Sequence, residues 1–177
     1  MSKHPLAAIL AASALLTGCG DAAPPKAVHQ VPIERGVVIS SQDCADSKKL
    51  APELCDKAIE MAVRAHENQA PQFKTLRQCA AARGPDRCEK TATGHYRPQL
   101  QAFFVTMSKP PSAVPLYPSS AGEVAFSSLT KQVISGNDES LVISLAAQTM
   151  AHENAKLPPP GTSDPSEALG AAAADIH

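Results

Sequence analysis

The clearest hydrophobic pattern begins at Pro52 and predicts an amphipathic helix that ends near Asn68. Proline suits the first helical position, because its missing N–H would have no partner within the helix there. Thr75 starts a second helix with a capping-box pattern, and Gly84-Pro85 ends it after Arg83. The short connection between the two helices predicts a helical hairpin.

Weaker patterns occupy the rest of the central chain. The β-branched run at residues 36–40 predicts a strand, residues 114–128 predict short strands around a loop, and residues 141–151 predict a last helix. Apolar residues at spacing i, i+3, i+4, i+7 favour a short helix over residues 100–107, although Phe103-Phe104-Val105 is also compatible with a strand. The predicted class is a small α+β fold: a disulfide-braced helical hairpin with a few short strands and disordered termini.

Both ends of the chain differ in composition from this central part. Lys3 and the apolar run at residues 6–16 predict a secretory signal over residues 1–18, because the run is too short to span a membrane. Residues 19–35 are small, polar and proline-containing, which predicts a flexible tether. Residues 36–150 form the predicted domain, and the Pro- and Ala-rich residues 151–177 predict a disordered tail.

The sequence Leu16-Thr17-Gly18-Cys19 at the end of the signal resembles the lipobox of bacterial lipoproteins. The resemblance implies cleavage before Cys19 and acylation of that residue, so the membrane is the first expected partner. Gly20, in place of an aspartate, implies transport to the outer membrane with the domain facing the periplasm. The alternative is an ordinary secretory signal in which Cys19 only happens to lie near the cleavage site.

Composition limits the function classes. The chain has 177 residues, no Trp and 3% aromatic residues, which argues against a large, well-packed core. Its 16 basic and 17 acidic residues are nearly balanced, which argues against a nucleic-acid partner.

Four cysteines lie in the predicted domain: Cys44, Cys55, Cys79 and Cys88. An even number in an exported segment predicts two disulfides. A hairpin favours Cys55–Cys88 with Cys44–Cys79, but the local pairs Cys44–Cys55 and Cys79–Cys88 are also reachable, and the sequence does not decide between them. The wide spacing argues against a zinc site or a redox Cys-x-x-Cys motif, so we predict neither a metal nor another cofactor.

The histidines and serines do not form a recognisable catalytic motif. His-Glu-x-x-His, the Gly-x-Ser-x-Gly nucleophile elbow, the P-loop and the dinucleotide fingerprint do not occur in the sequence, so we assign no catalytic residue. His66 lies beside the apolar stripe of the first helix, where we interpret it as a packed histidine. His95 lies in a predicted loop.

A longer pattern of residues identifies a family resemblance. Asp43-Cys44, Cys55, Ala58, Ala70-Pro71, Phe73, Thr75, Cys79, Gly84 and Cys88 occur in an order and spacing that resemble the YgiB-type family of bacterial lipoproteins. The likeness is good over residues 43–89, looser as far as Pro118, and lost after Ser128. The resemblance implies a domain of unknown function for which no catalytic residues are assigned.

These observations predict a lipid-anchored cell-envelope protein that acts as a non-enzymatic binding or structural module for an envelope protein or the cell wall. The alternative is a thiol–disulfide or metal-dependent envelope factor that uses the four domain cysteines. The apolar set Leu100, Phe103, Phe104 and Met107 is interpreted first as ordinary core. The alternative is a contact surface that one face of a helix would present to a partner.

Overall fold

The computed structural model describes residues 34–161, which form four helices and eight strands. The helices are α1 (Ser41–Asp46), α2 (Pro52–Gln69), α3 (Leu76–Arg83) and α4 (Leu145–Ala155). The strands are β1 (Arg35–Val38), β2 (Cys88–Lys90), β3 (Tyr96–Pro98), β4 (Ala102–Thr106), β5 (Ser112–Pro118), β6 (Ala125–Ser128), β7 (Val133–Ser135) and β8 (Val142–Ile143). The predicted small α+β class is therefore confirmed.

Six of the strands form one sheet in the order β7-β6-β5-β4-β1-β8. Neighbouring strands are antiparallel, except that β8 runs parallel to β1. Gly36 of β1 allows this parallel contact, because a Cβ atom at that position would lie 2.6 Å from the Val142 carbonyl oxygen. Strands β2 and β3 form a separate antiparallel pair.

Apolar side chains cover both faces of the six-stranded sheet. Adjacent residues of a strand point to opposite faces, so Val37 and Val38 of β1 belong to two different core clusters. The cluster around Val37 packs against α4, and the cluster around Val38 packs against α1 and α2. The sheet thus lies between two helical layers, which explains why its strands lack a simple alternation of polar and apolar residues.

The two central helices begin and end where the sequence predicts. Helix α2 has Pro52 at its first turn, and α3 is capped by Thr75, whose hydroxyl accepts a hydrogen bond from the Gln78 amide at 3.2 Å. Gly84 follows α3 with φ 102°, a conformation that favours glycine. The two helices do not organise the fold as a hairpin: α2 packs on β5 and α1, whereas α3 packs on β2 and β3.

The helix favoured over residues 100–107 is wrong, because this segment contains strand β4. Both faces of β4 are covered, so apolar residues occur at nearly every position and match helical spacing by coincidence. Phe103 packs in the α2-side cluster and Phe104 packs against the α4-side cluster. Leu100, Phe103, Phe104 and Met107 therefore do not share one face, and Phe103 is only 5% exposed.

The fold extends beyond the domain end predicted at residue 150. Helix α4 continues to Ala155, and Ala151 and Asn154 are buried within it. Residues 151–155 are therefore part of the domain and not of a disordered tail. The predicted signal, Cys19, most of the tether and residues 162–177 lie outside the described residues.

Candidate functional site

The most connected group of buried and half-buried polar side chains is centred on His66, near the end of α2. Its Nδ1 atom lies 3.2 Å from the hydroxyl of Tyr117 on β5, and its Nε2 atom lies 2.9 Å from the Glu89 Oε1 atom on β2. Arg97 of β3 donates from Nε to the same carboxylate oxygen at 2.7 Å. Four elements therefore meet through these side chains, which we call the His66 cluster: His66, Glu89, Arg97 and Tyr117.

The carboxylate fixes the direction of the hydrogen bonds. An ionised Glu89 can only accept, so Nε2 of His66 carries a proton. In the neutral ring, Nδ1 then accepts from the Tyr117 hydroxyl, and in the charged ring it donates to that hydroxyl. Both ring nitrogens are paired in either form.

The environment shifts the pKa of two members of the cluster. Burial raises the pKa of Tyr117 to about 12, against the lowering effect of the Arg83 and Arg97 charges, so its hydroxyl remains protonated at physiological pH. Burial also raises the pKa of Glu89, but hydrogen bonds from His66 and Arg97 and the charges of both residues together hold it below its ordinary value.

The Glu–His–Tyr order resembles a catalytic relay, but the phenol is not accessible. Tyr117 is 2% exposed and His66 is also 2% exposed, so a substrate cannot reach the hydroxyl in this conformation. The cluster instead joins α2, β2, β3 and β5 through polar contacts.

Arg87, two residues before Glu89, forms a second set of buried polar contacts. Its guanidinium donates to the Arg83 carbonyl at 3.2 Å and to the carbonyls of Asn154 and Leu157 at 3.1 Å each. Arg83 and Asn154 lie at the carboxyl ends of α3 and α4, where the helix dipoles favour a positive charge. Burial lowers the pKa of Arg87. Among the described residues, 34–161, its Nε atom and the Asn154 side-chain nitrogen have no hydrogen-bond partner.

The structure decides between the disulfide pairings that the sequence left open. Cys44 bonds to Cys55, with a Cα–Cα distance of 5.8 Å, and Cys79 bonds to Cys88, with a Cα–Cα distance of 6.2 Å. These are the local pairs: the first joins α1 to α2 and the second joins α3 to β2. Within residues 34–161, His, Cys, Asp and Glu side chains form no group of three or more that could hold a metal ion.

Two surface depressions lie elsewhere on the domain. A cleft of about 240 Å³ between α1 and the sheet is lined mainly by apolar residues, among them Val38, Val105 and Val142. A more open groove of about 750 Å³ follows α4 and includes Leu145, Met150, Gln101 and Asp43. We call it the α4 groove. Leu145 is 78% exposed within it.

Sequence reasoning placed His66 correctly as a packed histidine but missed its partners. Glu89 and Tyr117 lie 23 and 51 residues further along the chain, with no local motif that connects them to α2. The one available signal was a histidine beside the apolar stripe of a helix, since such a residue requires polar partners when buried. Exposed His95 makes hydrogen bonds with residues of its own loop, Thr91 and Thr93.

Along residues 34–161, no helix combines the length and apolar character needed to cross a bilayer. Comparisons with curated proteins and with solved structures found no significant match. A family model described as a protein of unknown function, DUF1190, matches residues 33–166, which is most of the chain. The resemblance to YgiB-type lipoproteins is consistent with this match. The chain therefore belongs to the DUF1190 family.

Proposed function

We propose that this protein is anchored to the bacterial outer membrane through lipid on Cys19, faces the periplasm, and acts there as a non-enzymatic binding or structural module. The signal pattern of residues 1–18 and the lipobox-like Leu16–Cys19 sequence support the anchor. The observation that carries the proposal is that all four cysteines of the domain are paired in two disulfides. Disulfides of this kind persist in oxidising compartments such as the periplasm.

The same pairing favours a structural use of the cysteines. Cys44, Cys55 and Cys79 are at most 1% exposed. A thiol that exchanges disulfides or binds a metal must be accessible and ionised. The two bridges also supplement a core that is poor in aromatic residues, since a disulfide contributes about 2–4 kcal/mol to a small domain.

The partner surface that we propose is the α4 groove. It replaces the candidate surface around Phe103, whose four residues do not share one face. Leu145 offers an exposed apolar side chain, with Met150 and Ala146 beside it, while Asp43 and Glu153 contribute acidic groups. This chemistry suits a segment of an envelope protein that presents an apolar side chain next to a basic one. Residues 19–34 allow a reach of about 55 Å from the lipid when fully extended, so the groove can meet partners away from the membrane surface.

Intact mass analysis of the chain extracted from membranes tests the anchor and the cysteines together. We expect a chain that begins at acylated Cys19, with four thiols that react with an alkylating agent only after reduction. The C19A variant is the control and should lose the acyl mass and leave the membrane fraction. An unacylated wild-type chain, or thiols that react without reduction, would contradict the proposal.

Photo-crosslinking in intact cells tests the binding role. A photoreactive amino acid at position 145 should give discrete protein-sized adducts, whereas the same group at Val133 should not, although Val133 is 52% exposed on the opposite edge of the sheet. Identical adducts from both positions, or none from position 145, would exclude the α4 groove as the partner surface. Adducts that disappear on muramidase treatment would show that the partner is the cell wall and not a protein.

A further inference from the structure

Residues 75–98 form a unit that is largely closed on itself. Helix α3 packs on β2 and β3, these two strands pair with each other, and the Cys79–Cys88 disulfide joins the helix to β2. We call residues 75–98 the docked module. Neither of the two apolar core clusters contains a residue of the docked module.

Two charged side chains attach the docked module to α2 and to the end of α4, and two backbone hydrogen bonds join its Tyr96 to Phe73, which lies just before the module. Glu89 contacts His66 of α2 at 2.9 Å. Arg87 donates at 3.1 Å to the Asn154 and Leu157 carbonyls at the end of α4. Arg87 and Glu89 directly flank Cys88, so the disulfide positions both attachment points at once.

Polar attachment makes the docked module easier to release than the elements of the sheet. Hydrogen bonds broken on opening are replaced by bonds to water, so each contributes only a small net free energy to docking, and somewhat more where a charged group takes part. The elements of the two core clusters, by contrast, lose buried apolar contacts as well when they separate. Elements with few buried apolar contacts open at lower free energy than the global fold.

We propose that the docked module opens as a unit while both apolar core clusters stay folded, with the Glu89–His66 contact as the latch. The Cys79–Cys88 bridge keeps α3 and β2 together during this movement. Opening brings His66 and the Tyr117 hydroxyl into contact with solvent, and closing buries them again. The domain therefore has two arrangements that differ in the exposure of the His66 cluster.

Acid favours the open arrangement. The charged and titratable groups around Glu89 are His66 from α2, Arg97 from β3 and Tyr117 from β5, and the charge of Arg83 on α3 also acts on Tyr117. Hydrogen bonds from His66 and Arg97 hold the pKa of Glu89 below its ordinary value of 4.5 when the module is docked, in spite of its partial burial. Protonation is easier in the open arrangement, so the latch is intact above about pH 4.5 and is lost as the pH falls further.

Hydrogen exchange of the full chain in detergent tests this proposal. After correction for intrinsic rates, we expect peptides from residues 75–98 to exchange together and at least about 10-fold faster than peptides from α2, β4 and β5. In the E89Q variant, amide exchange in residues 75–98 should be about 10-fold faster than in the wild type at pH 6. The further acceleration that the wild type shows in these residues below pH 4.5 should be absent from E89Q. The matched control is E60Q, which removes a carboxylate that pairs with Arg64 on the exposed side of α2 and should leave residues 75–98 unchanged.

Two outcomes would overturn the proposal. Wild-type residues 75–98 that exchange no faster than β4 and β5 would show that the docked module opens only on global unfolding. An E89Q variant that accelerates every peptide equally would show that Glu89 supports the whole fold and not a latch. The wild-type profile decides the first point even if E89Q fails to fold, and neither result bears on the membrane anchor or the α4 groove.

Discussion

Replacing Tyr117 with phenylalanine removes one hydroxyl from the His66 cluster and leaves the ring in place. The side-chain volume is nearly unchanged, so no cavity contribution is expected. The His66 Nδ1 atom loses its partner at 3.2 Å, and both residues are 2% exposed, so water cannot replace the hydroxyl without rearrangement.

The loss in unfolding free energy expected for Y117F depends on the His66 Nδ1 atom that is left unpaired, and not on the lost hydrogen bond alone. Glu89 holds the proton on Nε2 of His66, so the ring cannot switch tautomer without turning a lone pair toward the carboxylate. Leaving a buried donor or acceptor unsatisfied costs about 1–3 kcal/mol, compared with about 1 kcal/mol for an average hydrogen bond. We therefore expect Y117F to lower the free energy of unfolding by about 1–3 kcal/mol.

Urea denaturation followed by far-UV circular dichroism measures this loss, since the chain has no Trp to report by fluorescence. Tyr96 is the only other tyrosine and gives a matched control. Its hydroxyl has no hydrogen-bond partner within residues 34–161, so Y96F should change the free energy of unfolding by less than about 0.5 kcal/mol. Equal losses for Y117F and Y96F would refute the assignment of a buried, fully paired His66.

Three further results are expected. The pKa of Tyr117 rises to about 12 in the folded chain, so the stability that its protonated hydroxyl contributes is complete below about pH 10 and is lost as the pH rises toward 12. The difference in unfolding free energy between the wild type and Y117F should therefore shrink between about pH 10 and pH 12. A difference that stays constant over this interval would contradict the prediction. Mild reductant should open the Cys79–Cys88 bridge before the other, since Cys88 is half-buried and the other three cysteines are buried, and mass mapping of alkylated thiols would reveal the opposite order. F103A should cost about 3–5 kcal/mol in unfolding free energy, and a loss below 1 kcal/mol would favour a surface role for Phe103.

Local signals explain why the two central helices could be predicted from the sequence. Pro52, the Thr75 cap and Gly84 each act within one turn of the backbone, and such contacts do not depend on the rest of the fold. The residues around Phe103 lacked this advantage. A strand with both faces buried has no period-2 pattern, so its identity depends on its pairing partners: β1, from a distant part of the sequence, and β5, the next strand along the chain.

The His66 cluster could not be predicted for the same reason. Its hydrogen bonds connect residues 23 and 51 positions apart, and the Arg87 contacts to α4 span 67 and 70 positions. Charged residues such as Glu89 and Arg97 usually lie on a solvated surface, so their types alone did not indicate a buried partner.

The buried polar groups are a consequence of the composition. With 3% aromatic residues and no Trp, the chain has few large apolar side chains for its interior. Between residues 34 and 161, the largest fully buried side chains are Arg87 and Tyr117. Such groups pack only where most of their hydrogen bonds are satisfied, so each accepts few arrangements of its neighbours. Arg87 contributes orientation more than net stability, because desolvation offsets most of the energy of a buried charge. For the half-buried Glu89, the hydrogen bonds and charges of His66 and Arg97 outweigh desolvation, so Arg87 and Glu89 act together. They select one position for the docked module on a sheet whose apolar core does not include it, and this accounts for a unit that has a defined docked position and still opens on its own.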